Sequence, residues 1–205
     1  MKIQNNLEGE MPVTIFPPEV YNSSCVQYYK IEISLESDPE TKRNGHYYYL
    51  TNTILTPEYY IQMAHQLRTA HENDMFFIYI NSPGGLLGTG VQIVHAMMDT
   101  RARTITIADG EVYSMAALIF MCGQERIVNP YSSFLFHNYS LTLAGKGNEV
   151  QSANIVTKQW YETLFKDLTE GFFTKRETQK IFDGKEFSLT ADEVVLRLNK
   201  MLTIE

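Results

Sequence analysis

Cysteine is scarce in this chain: Cys25 and Cys122 are the only thiols among 205 residues. Two cysteines cannot build a disulfide framework, and a metal site using them would need other ligands. Basic charge is also short, with 17 Lys and Arg against 24 Asp and Glu and a net charge of −7. A surface that neutralises nucleic-acid phosphates needs clustered cations, so no nucleic acid is expected as a partner, whereas peptides stay open. No apolar run approaches the ~18 residues of a membrane helix. Residues 1–9 are polar and lack the apolar core of a secretory leader. No G-x-x-x-x-G-K-[ST] loop is present for nucleotide phosphates. Linkers and low-complexity tracts are missing too, so the expectation is one cytoplasmic domain over 1–205 that touches no membrane.

Hydrophobic residues make up 44% of the chain, enough for a sizeable core. Residues 1–24, broken by Pro12, Pro17 and Pro18, read as an extended arm. Two Tyr-rich strands are expected at 26–35 and 45–54, joined by the polar link "ESDPETKRN". Pro57 suits the first position of a helix whose apolar residues Tyr60, Ile61, Ala64 and Leu67 recur at helical spacing. A repeating pattern then begins. "MFFIYI" (75–80) reads as a strand covered on both faces, "NSPGG" as a break, and "LLGTGVQIVHAMM" (86–98) as a helix. "TITIA" (104–108) is a second buried strand, "DGEVYS" a second break and "MAALIFMC" a second helix. "RIV" and "SSFLFHN" are short strands. Helix returns over about 148–167, with Val150, Ile155, Trp160, Leu164 and Leu168 as apolar positions. "LTADEVVLRLNKML" is a last helix with Thr190 as its cap. Strand–turn–helix units in series imply an α/β fold with parallel strands and right-handed crossovers.

Ser114 sits where a strand gives way to a helix. Serine is common as a helix cap there, but the same position exposes a side chain at the carboxyl edge of a sheet, where open α/β folds bind ligands. Gly84 and Gly85 end the neighbouring strand. The amide of Met115, in the first helical turn, and a glycine amide of the Gly84-Gly85 turn are available as oxyanion donors. A tight turn at Gly84-Gly85 and a simple cap at Ser114 account for the same residues. Of five histidines, His65, His71 and His95 lie in or beside helices without ligand-spaced partners, and His46 opens a strand as a surface residue. His137 ends the strand after the Ser114 helix and can reach the same edge, as an imidazole base for a serine or as a hydrogen-bonded histidine.

"YINSPGGLLGTGVQIVHAMM", "GEVYSMAALIFMCG" and "NPYSSFLFHN", in that order, resemble the Clp protease proteolytic subunit family. The similarity is strong over 75–138, moderate over 148–182 and weak before residue 45. It implies a ClpP/crotonase-like spiral of β-β-α units with a projecting helix-and-strand handle over about 141–167. It matches Ser114 to the nucleophile, His137 to the general base, and Gly85 and Met115 to the oxyanion donors. Gly84, Gly145 and Gly147 match substrate-binding positions, the last two in "LTLAGKGNE". The third triad member is usually an aspartate. The alignment of "DGKEFSLTADEVV" puts Glu186 there, with Asp183 as the rival. Tyr113 and Ala116 replace small residues usual in the family, and the N-terminal arm does not match its pore loop.

The resemblance implies serine endopeptidase chemistry without a metal or organic cofactor. It also implies a homo-oligomer of two stacked heptameric rings, fed with protein substrates by an ATP-dependent unfoldase. Three other readings stay open: a non-catalytic ClpP-like subunit, a capsid-type processing protease, and an acyl-CoA enzyme on the crotonase version of the fold.

Overall fold

The computed structural model describes residues 21–22, 26–35 and 38–201, and the expected N-terminal arm lies outside them except for Tyr21–Asn22. The eight described strands form one sheet. β1 (Tyr21–Asn22) and β3 (Asp38–Thr51) each pair antiparallel with β2 (Val26–Leu35). The polar link expected at 36–44 is largely strand, since β3 already pairs with β2 at Asp38 opposite Leu35. A ladder partner outweighs the weak strand preference of Asp, Glu and Lys. β4 (Met75–Ser82) lies parallel to β3, and β5 (Arg103–Tyr113) parallel to β4. A 3-10 turn (Pro57–Tyr60) runs into α1 (Ile61–Thr69), α2 (Leu87–Asp99) separates β4 from β5, and α3 (Met115–Cys122) comes after β5. This mixed α/β succession is the expected one.

β4 departs from expectation. Phe76, Ile78 and Ile80 are buried, but Met75, Phe77 and Tyr79 between them are only partly covered. Helices cover one face of this strand, and aromatic pairs shield the other. Tyr47 stacks on Phe77 and Tyr49 on Tyr79, each at 4.8 Å between ring centroids. β5 does meet the expectation of burial on both faces over 104–108.

The break expected at "DGEVYS" is instead the upper part of β5, which runs on to Tyr113. The ladder with β4 shifts register between Ile80 and Ser82. There the Asn81 side-chain oxygen accepts the Glu111 amide at 3.0 Å, in place of a regular ladder bond. Before this irregularity β5 pairs with β6 (Glu125–Val128), and beyond it with β7 (Ser133–Phe136). A bulge bends a strand and re-aims its remaining residues, and here it delivers Ser114 beside the end of β7.

β8 (Phe187–Thr190) adds antiparallel to β7, and sequence periodicity did not reveal it. α4 (Gly147–Leu168) and α5 (Lys175–Phe182) precede it, and α6 (Ala191–Met201) closes the described chain. Thr190 caps α6 as expected: its Oγ1 accepts the Glu193 amide at 3.4 Å, and its own amide donates to Glu193 at 2.8 Å. Only Tyr161 and Phe165 of α4 are buried, so its N-terminal half projects. Of the apolar positions read in this helix, Ile155 and Trp160 are 50% and 42% exposed. The handle strand is not formed: residues 141–146 are irregular and exposed, with no neighbouring strand among the described residues to complete a ladder.

His46 is not a surface residue. It is buried, its Nδ1 lies 3.0 Å from the Tyr28 hydroxyl, and its ring stacks on Phe76 at 4.4 Å. Nε2 is 3.7 Å from Asp74, too far for a hydrogen bond. Burial lowers the His46 pKa, helped by Lys30 and opposed by Asp74. An unfolded histidine titrates near 6.5 and takes up protons that the folded one refuses. Stability from this group is therefore complete above that pH and is lost as pH falls. Urea unfolding between pH 7 and 5 is expected to show a slope approaching about 1.4 kcal/mol per pH unit that His46→Gln flattens.

Candidate active site

Ser114 precedes α3 at φ 56° and ψ −125°, and its side chain makes no capping hydrogen bond. A serine cap holds an extended backbone and accepts an amide from the first turn. Ser114 does neither, so capping does not account for it. A β-carbon at positive φ is strained, and such strain persists only where the surroundings over-determine it. Here the Ser114 amide donates to the Leu135 carbonyl at 2.8 Å, and its carbonyl accepts from Ala117 and Leu118. A sharp strand-to-helix turn of this kind lifts a hydroxyl clear of the sheet.

The neighbouring turn presses against it. Gly84 has φ 90°, and a β-carbon there would sit 2.6 Å from the Tyr113 carbonyl oxygen, 2.8 Å from Ser114 Cβ and 2.9 Å from the Met115 amide nitrogen. Gly84→Ala is expected to cost about 3 kcal/mol, from backbone strain and from atoms that cannot give way. A lowered urea midpoint with an unchanged m-value is the measurement. Gly85 forms an isolated parallel bridge with Ile54, whose bonds run from the Ile54 amide to Gly84 and from the Leu86 amide to Ile54. Those bonds straddle Gly85, so its own amide points away from Ile54. As the first residue of α3, Met115 has an amide that the helix cannot use.

Gly85, Ser114, Met115 and His137 line one cleft of about 140 Å³. Leu86, Leu87, Leu118, Tyr139, Ser140 and Tyr161 complete its wall. Sequence reading missed these: Leu86, Leu87 and Leu118 adjoin the two turns in the chain, whereas Tyr139, Ser140 and Tyr161 reach the cleft only through tertiary packing. A larger cleft of about 710 Å³ is lined by residues of β7 and β8 together with Tyr113 and Tyr131, and holds hydroxyls but no imidazole. Gly145, Gly147 and Glu186 do not line the Ser114 cleft. Gly147 begins α4, and Gly145 lies in the bend before it.

His137 is the first residue beyond β7 and is partly exposed. Its ring makes no hydrogen bond to Ser114, Glu186 or Asp183. In substrate-free sites such bonds are often long and tighten when substrate binds. The Asp183 carboxylate is already engaged, accepting from Gln179 at 2.9 Å at the end of α5. Glu186 is exposed. The last pair of the β7–β8 ladder is Phe136 opposite Phe187. His137 and Glu186 each lie one residue beyond that pair, outside the ladder.

A family model for Clp protease matches residues 52–195, which contain both turns, His137 and Glu186. Over 92 residues the chain is 38% identical to the ATP-dependent Clp protease proteolytic subunit of Pleurastrum terricola, 44% of each chain being covered. Over 88 residues it is 34% identical to the protein of the same name from Chlorella vulgaris, covering 42% of this chain and 44% of that one. These alignments span less than half the length of the curated relatives. The family match runs through most of the sheet and both site turns, and the chain belongs to the Clp protease family.

Proposed function

We propose that this chain is a serine-type endopeptidase, the proteolytic subunit of a Clp-like complex that hydrolyses unfolded proteins. The carrying observation is the strained Ser114 turn, which shares one cleft with an imidazole and two free amides. His137 takes the Ser114 proton as Oγ attacks a peptide carbonyl carbon. The carbonyl oxygen becomes an oxyanion facing the amides of Gly85 and Met115. The tetrahedral centre collapses, the C–N bond breaks, and the leaving amine takes the proton from His137. Water, deprotonated by His137, then releases the acyl group and restores Ser114. Glu186 orients the imidazole and stabilises its positive charge. Gly84, Gly145 and Gly147, which do not line the Ser114 cleft, are the proposed contacts for the substrate backbone beyond it.

The projecting half of α4 exposes Ile155, Val156 and Trp160, apolar groups that a lone protomer leaves in water. Such a patch supports assembly through α4 into stacked rings, with an ATP-dependent unfoldase as the feeding partner. One observation favours a second reading, a non-catalytic subunit: the His137 ring is bonded to neither Ser114 nor a triad carboxylate. Treatment with a fluorophosphonate separates the two. A catalytic chain gains one adduct, mapped by mass spectrometry to Ser114. A chain that stays unlabelled while assembled is not a serine hydrolase.

A further inference from the structure

Tyr161 occupies an odd position for a tyrosine. It is on α4, only 5% exposed, and packed against Tyr139, Phe165 and Phe182 with centroid distances of 5.4, 5.8 and 6.3 Å. Its hydroxyl donates at 2.5 Å to the backbone carbonyl of His137. That carbonyl lies one residue past the last ladder pair, so β8 does not hold it. The next residue is held too: the Asn138 side-chain amide donates to the Phe182 carbonyl at 2.9 Å. The segment carrying the imidazole is therefore tied to α4 by one side chain and to the end of α5 by another.

We infer that Tyr161 is a positioning residue: by donating to the His137 carbonyl, it sets the imidazole at the distance from Ser114 that proton transfer needs. This rests on the peptidase reading above. A phenylalanine would fill the same space and satisfy the same ring contacts. A tyrosine is needed only if the hydroxyl has a partner, and its partner is the backbone of the residue read as the base. Burial raises the Tyr161 pKa, so the hydroxyl keeps its proton and is a donor at neutral pH. Without the donor, the carbonyl is left short of a partner in a largely apolar wall, and the segment relaxes. A shift near 1 Å in a reacting group costs up to about 100-fold in rate.

The test is Tyr161→Phe, which keeps the ring in the cleft wall. It is compared with Thr169→Val, which removes another buried hydroxyl bond at the end of α4, to the Phe165 carbonyl at 2.6 Å and away from the cleft. Steady-state peptide hydrolysis and the rate of fluorophosphonate labelling are measured well below the unfolding temperature. Tyr161→Phe is expected to lower kcat and the labelling rate about tenfold with KM unchanged within about twofold, while Thr169→Val keeps wild-type kcat. If Tyr161→Phe matches an active wild type, or Thr169→Val falls as far, Tyr161 does not position the base. If wild type neither hydrolyses peptide nor takes the phosphonate, the peptidase reading itself fails and this inference falls with it.

Discussion

Ser114→Ala is expected to abolish peptide hydrolysis, by about 10⁵- to 10⁶-fold in kcat, and to leave no site for a phosphonate adduct. Stability is expected to hold within about 0.5 kcal/mol, because the Ser114 hydroxyl makes no capping bond to the helix it precedes. The strain at φ 56° belongs to the backbone and Cβ, which serine and alanine share. Ser114→Gly removes that Cβ and is expected to raise stability by about 1 kcal/mol while being equally inactive. The opposite pattern, a destabilised Ser114→Ala with activity retained, would return Ser114 to the role of a helix cap. His137→Ala should match the loss of Ser114→Ala, and the double variant should lose no more, because in the proposed mechanism the two act as one unit.

The two site turns were readable because each is built from local chemistry. Gly84 and Gly85 come after a Pro at the end of an apolar strand, and Ser114 opens the apolar helix "MAALIFMC"; both signatures fit within a few residues. Features that could not be read locally depend on which element comes to lie beside which. An apolar run such as 75–80 shows that a strand is there, not how many of its faces are covered. Helices pack on one face of β4, and its other face is shielded by rings from β3. His46 looked like a surface residue because Tyr28, 18 positions earlier, and Asp74, 28 later, enclose it only after β2, β3 and β4 pair.

The same limit explains the two elements misread near the site. The family resemblance implied a handle strand at 141–146, but these residues have no neighbour among the described residues to pair with, and backbone groups without a ladder stay with water. Phe187–Thr190 is a strand of four residues between a turn and a helix cap, too short for its own period to show. Its existence rests on the edge of β7. That edge also gives a physical reason to choose between two carboxylates that alignment alone left in competition.

Glu186→Ala is accordingly expected to lower kcat about 10⁴-fold, as loss of a triad carboxylate does on other folds, while Asp183→Ala stays within about tenfold of wild type. Glu186 and His137 flank the last β7–β8 pair, Phe136 opposite Phe187, and the proposed mechanism has the Glu186 carboxylate, one methylene longer than that of aspartate, reach the imidazole when substrate binds. Asp183 lies three residues away in the turn after α5, with its carboxylate occupied by Gln179. Its loss removes one exposed hydrogen bond and touches stability more than chemistry. Glu186→Gln separates the two things the carboxylate supplies. It keeps an acceptor for the imidazole N–H but not the charge that stabilises the imidazolium formed as Ser114 attacks. A variant as slow as Glu186→Ala assigns the effect to that charge, and one much faster assigns it to orientation. A full loss on Asp183→Ala with Glu186→Ala active would exchange the two residues and show that the chain turns back toward His137 before β8 begins.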